Sequence, residues 1–107
     1  MKGGGVADFV TVGSAEDVPD GEMRMFQVGG EDVAVANVEG EYFAFGDVCT
    51  HRQCSLSEGD IEDTSVICAC HGSTFDMKTG EVLGPPATEP IVVFEVRVEG
   101  GELQVAP

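Results

Sequence analysis

Apolar and polar positions alternate most clearly near the end of the chain. Val92, Phe94, Val96 and Val98 interleave with Val93, Glu95 and Arg97, so one face is apolar and the other mostly polar. A period of two marks a half-buried strand, because successive side chains of an extended backbone point to opposite sides. The pattern predicts a strand over 92–98. Glu99-Gly100-Gly101-Glu102 then leads into Leu103-Gln104-Val105, and a glycine pair between two such runs predicts a hairpin. Similar runs occur earlier, at Phe9-Val10-Thr11-Val12, at Met25-Phe26-Gln27-Val28 before Gly29-Gly30, and from Val33 to Val38. The last of these turns at Glu39-Gly40 into Tyr42-Phe43-Ala44-Phe45, and Ser65-Val66-Ile67 reads as a short strand running straight into Cys68.

No stretch of ten or more residues repeats its apolar positions at helical spacing. Ser14-Ala15-Glu16-Asp17 has the form of a helix start, but Pro19 and Gly21 limit it to about one turn. Glycine supplies 15 of 107 residues, with five prolines and no tryptophan, against an average usage of about 7 % glycine. Short strands joined by tight turns are the consequence. Neither a boundary nor an internal repeat appears, so the expectation is one all-β domain over 1–107 with a flexible tail over 1–7. Phe43, Phe45 and Phe94 are expected in its core, and Met23, Met25 and Met77 are expected to serve as packing.

Charge narrows the function. Twenty acidic side chains face five basic ones, for a formal net charge of −15. Nucleic-acid binding needs a patch of Lys and Arg to displace counterions from phosphate, and five basic residues do not build one. An anionic membrane surface would repel the chain for the same reason. A strong negative field does suit fast, salt-sensitive docking on a basic protein partner. No run approaches the roughly 18 apolar residues that span a bilayer, and the N-terminus has no apolar signal-peptide core. These features lead us to expect a cytoplasmic protein.

All four cysteines and both histidines fall between residues 49 and 71. Two short segments hold them, Cys49-Thr50-His51-Arg52-Gln53-Cys54 and Cys68-Ala69-Cys70-His71-Gly72-Ser73. A purely disulfide reading leaves both histidines unexplained and fits poorly with a reducing compartment. Structural zinc usually takes C-x₂₋₄-C knuckles; Cys49 and Cys54 have that spacing, but Cys68-Ala69-Cys70 in the second segment does not. An all-cysteine plant-type iron–sulfur site wants C-x₄-C-x₂-C; Cys49 and Cys54 meet its first half, but the next cysteine is Cys68.

What fits is C-x-H, sixteen residues, then C-x-x-H, from Cys49, His51, Cys68 and His71. This resembles the Rieske family, in which two Cys hold one iron of a 2Fe–2S cluster and two His the other. Leu56-Ser57-Glu58-Gly59, Phe75-Asp76, Thr79-Gly80 and Gly84-Pro85-Pro86 extend the resemblance, which covers roughly residues 30 to 105. It implies a small antiparallel β-sandwich with a cluster-binding part over about 46–87. It also implies a 2Fe–2S cofactor on Cys49, His51, Cys68 and His71, with the imidazole edges facing solvent as the electron's exit. Imidazole is neutral where thiolate is negative, so such centres accept an electron more readily, at about −150 to +300 mV against about −400 mV for all-Cys plant types.

The resemblance extends to other residues. In membrane-bound respiratory relatives, cysteines at the positions of Cys54 and Cys70 form a disulfide between the two loops, which implies the same pairing here. Ser73 matches a family serine that hydrogen-bonds a bridging sulfide. Phe75 stands where high-potential relatives carry a tyrosine, so one hydrogen-bond donor is missing.

Size and solubility resemble the ferredoxin component of bacterial aromatic-ring-hydroxylating dioxygenase systems. That implies a one-electron carrier between an NAD(P)H-dependent flavin reductase and a terminal oxygenase, in aromatic hydrocarbon catabolism. It is not an enzyme by itself, since no nucleophile–base pair and no phosphate-cradling glycine loop is evident. The rival is a soluble fragment of a respiratory-type Rieske protein from a cytochrome bc complex, favoured by Cys54, Cys70 and Ser73.

Overall fold

A computed structural model describes residues 9–50, 54–70 and 72–106. The alternating runs become strands β1 (Val10–Ser14), β2 (Met23–Val28), β3 (Glu31–Val38) and β4 (Glu41–Gly46). Four three-residue strands follow: β5 (Asp60–Glu62), β6 (Ser65–Ile67), β7 (Thr74–Asp76) and β8 (Val82–Gly84). The chain closes with β9 (Val93–Glu99) and β10 (Glu102–Ala106). Two sheets result, one of six strands in the order β1-β10-β9-β4-β3-β2 and one of four in the order β5-β6-β7-β8. Every pairing is antiparallel.

The small sheet is an insertion in the large one. β4 and β9 are neighbours, with Ala44 opposite Phe94 and Phe45 opposite Val93. The Gly46 N–H donates to the Val92 carbonyl at 2.9 Å, closing the base of everything between them. The insertion begins at this junction, after Gly46 at the end of β4.

β3 explains how the two layers share one strand. Its residues Val33 to Asn37 are all buried. Ala34 and Ala36 face a core formed with Phe43, Phe45, Leu56, Val66, Phe75, Met77 and Ile91. Val33 and Val35 face the opposite way, against Val18, Val28, Ala44, Leu103 and Val105. A strand covered on both faces reads as a nearly continuous apolar run rather than an alternating one. The buried Asn37 is accommodated because its Nδ2 donates to the Val18 carbonyl at 2.9 Å and its Oδ1 accepts from the Gly40 N–H at 2.9 Å.

Several expectations need adjustment. The C-terminal strand runs 93–99, not 92–98, and Val92 and Val98 are 62 % and 43 % exposed. Val93 packs on the insertion's core while Phe94 and Val96 pack on the other, so the two faces share the burial. Met77 is buried and Met23 packs against the same core, but Met25 is 40 % exposed on outer strand β2. The capping sequence makes one 3₁₀ turn (Ala15–Asp17), with the Ser14 and Asp17 side chains accepting from each other's segment. The tail over 1–7 lies outside the described residues.

Candidate metal centre

Both cysteine-bearing segments are loops closed just below their tips. In the first, Val48 and Ser55 form a bridge and the Cys49 N–H donates to the Cys54 carbonyl at 2.9 Å. The Leu56 N–H reaches the Asp47 carbonyl at 2.6 Å. In the second, the Cys68 N–H donates to the Ser73 carbonyl at 2.8 Å and the Gly72 N–H to the Cys68 carbonyl at 3.0 Å. Strands β6 and β7 pair directly beneath it, with Ile67 opposite Thr74.

A disulfide joins Cys54 to Cys70, with a Cα–Cα distance of 6.5 Å, and locks the loops side by side. The sulfurs of Cys54, Cys68 and Cys70 lie within 4.8 Å of one another. Three sulfurs this close invite a three-thiolate metal site, but two are bonded to each other and have no thiolate to give. Cys49 and Cys68, each 2 % exposed, belong to one apolar cluster with Phe43, Phe45, Leu56, Phe75 and Met77.

A third segment clasps both loops. Ser73 is fully buried, and its Oγ accepts from the Ala87 N–H at 3.1 Å. The Thr50 hydroxyl donates to the Glu89 carbonyl at 2.7 Å. The stretch containing Pro85, Pro86 and Ala87 is thus tied to one loop by Ser73 and to the other by Thr50. Sequence reasoning placed Ser73 and Gly84-Pro85-Pro86 near the site. It missed Thr50, Ala87 and Asp47, whose hydrogen bonds each involve at least one backbone group.

His51 and His71, together with Arg52, lie outside the described residues. The described donors still test whether a 2Fe–2S group fits. Thiolates buried among phenylalanines carry charge that water does not reach, at a cost of several kcal/mol unless opposite charge lies beside them. An iron–sulfur core with positive formal charge supplies that charge, and thiolate is its usual ligand. The donor set fits.

A cavity of about 540 Å³ opens beside the first loop, lined by Val28, Val48, Ile91, Val92 and Phe94 among others. Among the described residues its lining contains no His, Cys or Ser to act as a nucleophile or its base. Among the same residues no helix is long and apolar enough to cross a membrane.

Comparison with known proteins agrees with this geometry. The Rieske 2Fe-2S domain family matches residues 8–97. The biphenyl dioxygenase ferredoxin subunit of Pseudomonas sp. (strain KKS102) is 41 % identical over 98 residues, covering 91 % of this chain and 90 % of that one. Among solved structures, the ferredoxin of Sphingomonas yanoikuyae B1 superposes with a TM-score of 0.86 at 30 % identity, covering 94 % and 99 % of the two chains. A chain from the complex of reduced oxygenase and oxidised ferredoxin in carbazole 1,9a-dioxygenase superposes with a TM-score of 0.84 at 38 % identity, covering 92 % of each.

Proposed function

Because the chain belongs to the family of Rieske 2Fe-2S domains, we propose that it is the ferredoxin of a multicomponent aromatic-ring dioxygenase system. It takes one electron at a time from an NAD(P)H-dependent flavin reductase and delivers it to a terminal oxygenase. Catalysis on the aromatic substrate belongs to the oxygenase, and the cytoplasm is where NAD(P)H is available. The cluster, when bound, supplies a centre that gains and loses a single electron.

The residues divide the work. Cys49 and Cys68 would hold one iron from inside the apolar cluster, and His51 and His71 would hold the other. The Cys54–Cys70 disulfide keeps the two loops in register, so each loop contributes one sulfur and one nitrogen ligand. Ser73, held in place by the Ala87 N–H, has its hydroxyl hydrogen left to donate toward a sulfide. The observation that carries the reading is the burial of Cys49 and Cys68 in one cluster beneath two disulfide-joined loops. Such a disulfide and serine also mark respiratory relatives, but ferredoxin subunits match about nine-tenths of this chain.

Anaerobic reconstitution tests the proposal. The expected product is a coloured protein with about two irons and two acid-labile sulfides per chain. Its reduced form is expected to give the spin-resonance signature of mixed Cys/His ligation, and to pass electrons from a dioxygenase reductase to its oxygenase. A colourless product, or the spectrum of four-thiolate ligation, would overturn it.

A further inference from the structure

Asp47 is a carboxylate inside the protein, with 1 % of its surface exposed. It sits two residues before Cys49, at the base of the first loop. Three of its polar groups close that base. Its N–H donates to the Asp32 carbonyl at 3.0 Å, pinning the loop to β3. Its carbonyl accepts from the Leu56 N–H at 2.6 Å. Its carboxylate Oδ1 accepts from the Ser57 N–H at 2.8 Å.

The last bond has a clear local cause. Leu56–Glu58 forms a 3₁₀ turn, and the first amides of a helical turn have no partner within it. Ser55 occupies the capping position, but its side chain makes no capping bond. Asp47 supplies the cap from across the loop. It thereby joins the arm carrying Cys49 to the arm that follows Cys54.

We propose that Asp47 is a positioning residue of the electron-transfer centre: it clamps the Cys49 arm of the first ligand loop, and its buried negative charge lowers the reduction potential. The charge argument is elementary. An added electron is opposed by a nearby negative charge, and a carboxylate that is 1 % exposed is poorly screened by water on its own surface. The clamp depends on an oxygen that accepts a hydrogen bond; the effect on potential depends on the charge. A single pair of variants separates them.

Asp47→Asn keeps an oxygen able to accept the Ser57 N–H and removes the charge. Asp47→Ala removes both. Two quantities are measured on loaded full-length protein, the release of iron to a chelator and the midpoint potential. The Asp47→Asn protein is expected to release iron within about twofold of the wild-type rate. The Asp47→Ala protein should release it about tenfold faster, the effect of losing a hydrogen bond to a charged acceptor. The asparagine variant is expected to shift the reduction equilibrium about three- to tenfold toward the reduced form, or about 30 to 60 mV for one electron.

A merely structural aspartate would leave that potential unmoved, so an unchanged midpoint in Asp47→Asn overturns the proposal. Wild-type iron retention in Asp47→Ala overturns it equally. Should the alanine variant fail to fold, hydrogen exchange over residues 55–58 in loaded Asp47→Asn decides the clamp. Protection like that of the wild type supports it, and loss of protection with iron retained overturns it. The inference rests on Cys49 being a ligand. Wild-type protein that takes up no iron would refute that assignment, whereas loaded wild-type protein with indifferent Asp47 variants would refute only this one.

Discussion

At Ser73 the chain places a hydroxyl that can accept one hydrogen bond and donate another. It is fully buried and accepts the Ala87 N–H at 3.1 Å, which orients its hydrogen away from that amide. A hydroxyl donating to a cluster sulfide favours the reduced, more negative form and raises the potential. Phe75, also fully buried, has no hydroxyl to add a second donor. The midpoint of this ferredoxin is therefore expected between the low and the respiratory classes. Removing the donor with Ser73→Ala should lower it by about 20 to 60 mV, the equivalent of about 0.5–1.5 kcal/mol for one hydrogen bond. Protein-film voltammetry of the two proteins reads this directly, and an unchanged midpoint would leave Ser73 only its bond to Ala87. Ser73 and the four proposed ligands were open to proposal from the sequence because the spaced Cys/His motif, and the resemblance it carries, mark them. Asp47 and Thr50 were not, since each acts on a backbone partner far along the chain, at Ser57 and Glu89.

Among the elements, the long strands were legible, and of the four short ones only β6 (Ser65–Ile67) was. β3, β4 and β9 carry enough residues to show a period or a buried run, and the turns at Gly29-Gly30, Glu39-Gly40 and Gly100-Gly101 mark the hairpins β2–β3, β3–β4 and β9–β10. β5, β7 and β8 have three residues each, so two alternations are the most they can show. Their pairing comes from the turns and closed loops around them. Gly80 is one such turn. Its φ is +85°, and a Cβ there would run into the Ile91 carbonyl oxygen. The same residue accepts the Ile91 N–H at 2.9 Å, so the turn after β7 is fastened to the strand leading back to the large sheet. Gly40 has nearly the same backbone, φ +88°, with nothing within 4 Å of a built Cβ. Gly40→Ala is thus expected to cost only backbone strain, about 1–2 kcal/mol. Gly80→Ala adds displacement of backbone and should cost at least about 3 kcal/mol. Urea denaturation of the two variants checks the difference; equal losses would mean that the segment leading to Ile91 yields freely.

Over the whole molecule, the charge of −15 governs how partners approach. One of the five cations is already engaged by its own sheet. Arg97 lies 3.2 Å from Glu99, donates to Gln104 at 2.7 Å and stacks over the Phe9 ring at 4.0 Å. Acidic groups meanwhile gather elsewhere, as where Asp20, Glu39, Glu41 and Asp63 line one cleft. A field of one sign steers a basic partner over a distance set by the Debye length, about 10 Å at 0.1 M salt and 30 Å at 0.01 M. Steering speeds the encounter but adds little once the partners touch, so its signature is kinetic. At limiting ferredoxin, electron delivery to the oxygenase should fall about tenfold or more between 0.01 and 0.2 M sodium chloride. At saturating ferredoxin, where encounter no longer limits turnover, the same change in salt should have little effect. A rate at limiting ferredoxin that is flat or rising with salt would mean that apolar contact, not charge, guides the meeting, and that the acidic surplus serves solubility alone.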